Sequence, residues 1–152
     1  MSGEFTYSAS IRFKHPKRDT TLFDKIVGKQ PGRRWRVGEQ RSTPKGNPLT
    51  GVYRESYCFY KIGKGDREDL CACLRKMNRR LARHKRRLAA WRKHGGTIMY
   101  YVFCVSESGG VFGAVFPPHL LTQLGSLGIE LGLEVYPPRR QQRRGEEAGV
   151  RP

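Results

Sequence analysis

The sequence predicts an α+β domain: a mainly antiparallel sheet of about five to six strands, with one long basic helix and two short helices packed on it. Three observations carry this. Apolar residues alternate with polar ones through Phe5–Phe13, Val52–Ile62 and Ile129–Tyr136, the period of a half-buried strand. Leu70, Leu74, Met77, Leu81, Leu88 and Trp91 recur on a helical period instead. Charge is segregated: residues 66–94 hold eleven Lys/Arg against three acids, and residues 95–136 hold no Lys or Arg and three Glu. The second half of the chain is therefore core material, and the long helix carries the cations.

The elements follow in order. Phe5, Tyr7, Ala9, Ile11 and Phe13 face one way, and Pro16 ends that strand. Thr20–Gly28 is a short helix, capped by a threonine, with Leu22, Phe23, Ile26 and Val27 as its apolar face and Gly28 as its stop. Gln30–Glu39 is a loop leading into a short strand around Trp35, and Ser42–Gly51, with Pro44, Gly46, Pro48 and Gly51, is loop. In Val52–Ile62, Tyr57 and Phe59 point one way and Cys58 and Tyr60 the other. The helix runs from Asp66 to His94, with Asp66, Glu68 and Asp69 in its first turn, where the dipole favours acids. Unbroken, it would reach about 43 Å, longer than a strand of the sheet, so it either overhangs the sheet or breaks near Arg83-His84-Lys85, and of the two the break is favoured. Thr97–Ser106 and Val111–Phe116 flank Glu107-Ser108-Gly109-Gly110 as a hairpin. Pro117-Pro118 opens a last short helix, and Ile129–Tyr136 is the final strand.

One domain over residues 1–137 accounts for these elements, and the Arg-rich segment 138–152 is expected to be disordered. The N-terminus lacks the apolar run of a signal peptide, and the longest apolar stretch, near Ile98–Val105, is too short to cross a bilayer. These features place the protein in the cytoplasm. Cys58, Cys71, Cys73 and Cys104 all fall within strand or helix patterns, as reduced, packed thiols do.

The order of elements resembles a bacterial family known as domain of unknown function 4279. The resemblance rests on the strand Tyr7–Phe13, the Pro31, Trp35, Gly38, Glu39 loop, and Leu127-Gly128 leading into Ile129–Tyr136. It would cover about residues 5–137, with Tyr57 and Phe59 where a tryptophan is expected and a far more basic helix. The family brings no accepted activity. What it implies is company with the immunity and interaction modules of bacterial conflict systems.

The residues offer little for catalysis. Cys71 and Cys73 lie about 200° apart on a helix, the four histidines form no paired spacing, and no phosphate-loop pattern occurs, so neither a metal nor a cofactor is expected. Glu39 is the one acid to watch, as a turn-fixing partner of a nearby arginine or as a ligand contact. The strongest feature is cationic. Arg75, Lys76, Arg79, Arg80, Arg83, Arg86 and Arg87 surround the apolar stripe, and Arg33, Arg34 and Arg36 gather near Trp35, an aromatic that could stack on a base. The expected function is a non-catalytic binding module for an acidic protein partner, of the immunity or regulatory type. Nucleic-acid binding through residues 66–94 is the alternative, and a small enzyme with a cleft near Trp35 and Glu39 the distant one. A membrane partner is not expected, because the apolar stripe is narrow and matches what a sheet would bury.

Overall fold

The computed structural model describes residues 5–66, 69–106 and 113–136. In chain order its elements are β1 (Phe5–His15), α1 (Phe23–Val27), β2 (Arg33–Trp35), β3 (Gln40–Ser42), β4 (Pro48–Val52), β5 (Ser56–Asp66), α2 (Leu70–Ala82), α3 (Lys85–Lys93), β6 (Thr97–Ser106), α4 (Pro118–Leu127) and β7 (Glu130–Tyr136). Five strands form one sheet in the order β2-β5-β1-β6-β7, and β3 and β4 form a separate hairpin. All pairs are antiparallel except β6 with β7. That parallel pair needs a crossover, and α4 lies within it.

The central strand decides which side is which. β1 buries Phe5, Tyr7, Ala9, Ile11, Phe13 and His15 in strict alternation. In register with it, Ile11 lies between Tyr60 of β5 and Tyr100 of β6, and Phe13 between Cys58 and Ile98, all of them buried. The helices cover this face with Leu74, Leu81, Leu88, Trp91, Leu120 and Leu124. One end of the core is aromatic: Phe13 stacks on Phe23 at 3.6 Å, and Phe23 meets the edge of Trp91 at 4.8 Å. The opposite face of the sheet carries Ser8, Arg12 and Lys14 from β1, beside Phe59, Lys64, Met99 and Phe103.

Several expectations change. The single long helix is two helices, α2 and α3, parted at Arg83-His84, where the His84 N–H bonds back three residues to Leu81 O. Arg79, Arg83 and Arg87 would stand four apart along an unbroken helix, each like-charged pair costing a few tenths of a kcal/mol, about 0.2–0.5. The break lies in that run. The hairpin of Thr97–Ser106 with Val111–Phe116 does not form over the described residues: 113–116 are not strand. The reason is that β1 and β7 already occupy both sides of β6, leaving no ladder for a hairpin partner. The expected loop at Ser42–Gly51 contains β4, paired with β3, and β5 starts at Ser56 rather than Val52. Asp19, not a threonine, holds the turn before α1, its carboxylate accepting the Thr21 N–H at 3.0 Å. Asp66 ends β5 instead of opening a helix. Glu68, the Glu107–Gly110 turn and the tail 138–152 lie outside the described residues.

Three polar groups are built into this frame. Arg34 on β2 grips Asp24 of α1 with both terminal nitrogens, at 3.1 and 2.7 Å, and donates to Thr20 and to the Tyr60 hydroxyl. Tyr60 in turn donates to Asp24 at 2.7 Å. The Asp24 carboxyl is held below its ordinary range, chiefly by Arg34. On the other side of the core, the buried Asn78 accepts from Tyr100 at 2.7 Å and donates to Gln123 at 3.1 Å, tying α2 to β6 and α4. His15, buried against Trp91, accepts the N–H groups of Lys17 and Arg18 on Nδ1.

Replacing Arg34 by Met keeps the length of the side chain and leaves the Asp24 carboxylate without its cation and with Tyr60 as its remaining side-chain donor, so urea unfolding should show a loss of about 2 kcal/mol; a loss within about 0.5 kcal/mol would mean the network is dispensable. Burial, Arg18, His94 and Lys17 lower the His15 pKa, so the folded state favours the neutral ring. Its contribution to stability is complete above the ordinary value of about 6.5 and declines as pH falls from there toward the lowered folded value. Urea midpoints measured between pH 5 and 8 should fall on the acid side, and His15→Asn, which keeps an acceptor at that place, should flatten the decline.

Candidate functional site

The cations expected to act together occupy different environments. On β2, period two sends Arg34 to the helix side, opposite Cys58, and Arg33 and Trp35 to the other face, opposite Phe59 and Tyr57. Arg34 is consumed by Asp24 and Tyr60. Arg36 pairs with Asp19 at 2.8 Å. Arg33 donates to Ser42 O and the Tyr53 hydroxyl and lies 5.0 Å from the Trp35 ring centroid. Trp35 itself is sandwiched, with Tyr53 stacked at 4.5 Å and Tyr57 at 4.3 Å. Tyr53 and Tyr57 therefore take up ring surface that a stacked base would need. Glu39 is exposed and accepts the Arg36 N–H on Oε2 at 3.0 Å, closing its own turn. A shallow pocket of about 320 Å³ adjoins it, lined by Asp19, Thr20, Thr21, Arg34, Trp35 and Arg36.

The helical cations divide further. Arg80 reaches across to α1, donating from Nε to Ile26 O at 2.8 Å and from Nη2 to Lys25 O. It caps the short helix whose last turn closes at Gly28, φ +72°, where a Cβ would come within 2.1 Å of the guanidinium. Arg75 lies 3.2 Å from His119 Nε2 of α4. Lys76, Arg79, Arg83, Arg86 and Arg87 form no ion pair among the described residues. All five are exposed. α2 and α3 contain no acid, so their field is uncompensated from within.

Two hollows lie in this field. The first, about 410 Å³, runs between α1, β5 and α2. Val27, Ile62, Cys73 and Met77 form its apolar part, and Lys29, Lys76, Arg79, Arg80 and Arg83 its rim. The second, about 690 Å³, opens at the break between α2 and α3, where Ala82 and Ala89 lie among Arg83, His84, Lys85, Arg86 and Arg87. His84 is half-buried there. The residues the sequence did not bring forward are Lys29, Val27 and Ile62, because only the packing of α1 on α2 places them beside Arg79. Arg12 is another: its guanidinium lies 3.4 Å over the Tyr101 ring on the helix-free face, and its Nε is buried without a hydrogen-bond partner. The alternation of β1 was its only signal.

Among the described residues no three His, Cys, Asp or Glu side chains converge on a metal-sized site. Among the described residues no helix is long and apolar enough to cross a membrane. Comparison with protein-family models, with curated proteins and with solved structures gave no match.

The structural and the unpaired arginines should separate on substitution. Arg80→Ala frees two carbonyls of α1 and should cost about 1 kcal/mol in thermal or urea unfolding, whereas Arg79→Ala and Arg86→Ala should stay within about 0.5 kcal/mol of the parent. Equal losses at all three positions would refute this division.

Proposed function

We propose that the protein is a non-catalytic binding module that engages an acidic protein partner through the α2–α3 surface, in the manner of an immunity or regulatory contact. The observation that carries this reading is the α1–β5–α2 cleft: a patch of apolar side chains rimmed by Lys29, Lys76, Arg79 and Arg83, whose charges meet no acid among the described residues. A rim of cations around an apolar floor fits a carboxylate beside an aliphatic or aromatic side chain, the anchor-and-rim pattern of protein interfaces. A phosphate backbone would use the cations and leave the floor empty. Glu39, engaged with the Arg36 backbone N–H, lends the enzyme reading no support.

The test compares labelled probes by fluorescence anisotropy: a glutamate-rich peptide with one leucine, the same peptide without it, duplex DNA and single-stranded RNA. The leucine peptide should bind tightest near physiological salt, about 0.15 M, and Arg79→Glu with Arg83→Glu should weaken it by about tenfold or more. If instead the nucleic acids hold at that salt and outcompete the peptide, with log K falling steeply in log salt, the alternative reading through residues 66–94 replaces this one.

A further inference from the structure

The two edges of the main sheet are unlike. On one side, β2 is only three residues long, follows Pro31-Gly32 and carries two arginines. That is a blunted edge of the kind that resists pairing. On the other side, β7 runs for seven residues, Glu-Leu-Gly-Leu-Glu-Val-Tyr, with no proline, lysine or arginine. One side of it pairs with β6, and no described strand lies on the other. Its apolar residues are not fully covered either: Leu133 is 41% exposed, Val135 45% and Tyr136 47%. Glu134, by contrast, is secured on the helix-free face by the hydroxyls of Tyr101 and Tyr136.

Charge selects the occupant. The chain carries +17, yet residues 95–136 contain no Lys or Arg. A second copy meets cations over most of this molecule and the fewest along that stretch. An acidic partner is drawn to the α2–α3 side and finds only Glu130 and Glu134 on β7. We propose that β7 is a self-association edge, at which two copies pair antiparallel about a two-fold axis to form one continuous sheet. The sequence of β7 also selects the register. With Leu133 opposite its own copy, Leu131 meets Val135, Gly132 meets Glu134 and Glu130 meets Tyr136. A shift of two residues in either direction sets Glu130 opposite Glu134, or Glu134 opposite itself, and like charges directly opposed are unfavourable. The full-length pairing is therefore also the one free of that clash.

The test is sedimentation velocity with light scattering on the intact chain, from micromolar to hundreds of micromolar. Dimer should form, and it should strengthen as salt shortens the screening length from about 10 Å at 0.1 M to about 3 Å at 1 M, because the bulk of the two molecules repel. Binding of an acidic peptide should weaken over the same range, so the two surfaces can fail independently. Leu133→Lys should raise the dimer dissociation constant by about tenfold or more while leaving the thermal midpoint and peptide binding near those of the parent. Leu133→Cys should form a covalent dimer on mild oxidation, and Leu131→Cys, which faces Val135, should not. A wild-type chain that stays monomeric throughout overturns the proposal. So does a dimer indifferent to Leu133→Lys, or one cross-linked through Leu131→Cys instead.

Discussion

The structure depends on the two-sidedness of β1. Six alternate side chains from Phe5 to His15 are buried on one face, and the residues between them are hydroxyls and cations that no core accepts. Both ladders of β1 are filled, by β5 and β6, so its alternation is imposed on them through the register. A one-residue slip would bring Arg12 and Lys14 inward and turn Ile11 and Phe13 out. All the helices then have one side available to them. Trp91 reaches the Phe13–Phe23 stack only because α3 is set apart from α2 and lies over the end of β1 that carries His15.

Against that frame the arginines do two different kinds of work. Arg34, Arg36 and Arg80 hold the structure together: they join β2 to α1, fix the turn after Thr20, and cap α1. None needs a partner from outside. Arg79, Arg83, Arg86 and Arg87 satisfy nothing among the described residues. A surface of this kind raises the rate at which an anionic partner arrives and sets how it is oriented; tight binding requires something buried beneath it. Among these cations, Val27, Ile62 and Met77 form the apolar part of the cleft.

The elements most legible in the sequence were those whose signal is local. β1, the halves of the helical stretch and β7 follow from periodicity, and Gly28 and Gly128 stop α1 and α4 as left-handed C-caps do. What escaped was decided at a distance. Nothing near Thr97–Ser106 states that both its sides will be taken, so Glu107–Gly110 read as a hairpin turn where β6 instead pairs with β1 and, beyond α4, with β7. Pro48 and Gly51 read as loop because an exposed edge hairpin tolerates residues that a central strand rejects. In the candidate site, the run from Arg75 to Arg87 was plain, but its division into capping and unpaired residues was not. Whether an arginine is spent depends on which carbonyl or carboxylate the fold brings to it. Trp35 shows the same limit: its place among arginines suggested a stacking platform, and in the fold Tyr53 and Tyr57 stack on it.

Cations are unevenly placed among the described elements: α2 and α3 carry them densely, and residues 113–136 carry none. The cationic cleft lies beside β5, while β7 lies three strand positions away, about 14 Å across the sheet. Like-charged residues set close together on α2 and α3 favour approach of an anion from that side. Occupying the cleft would leave the β7 edge clear, so the two surfaces do not compete for space.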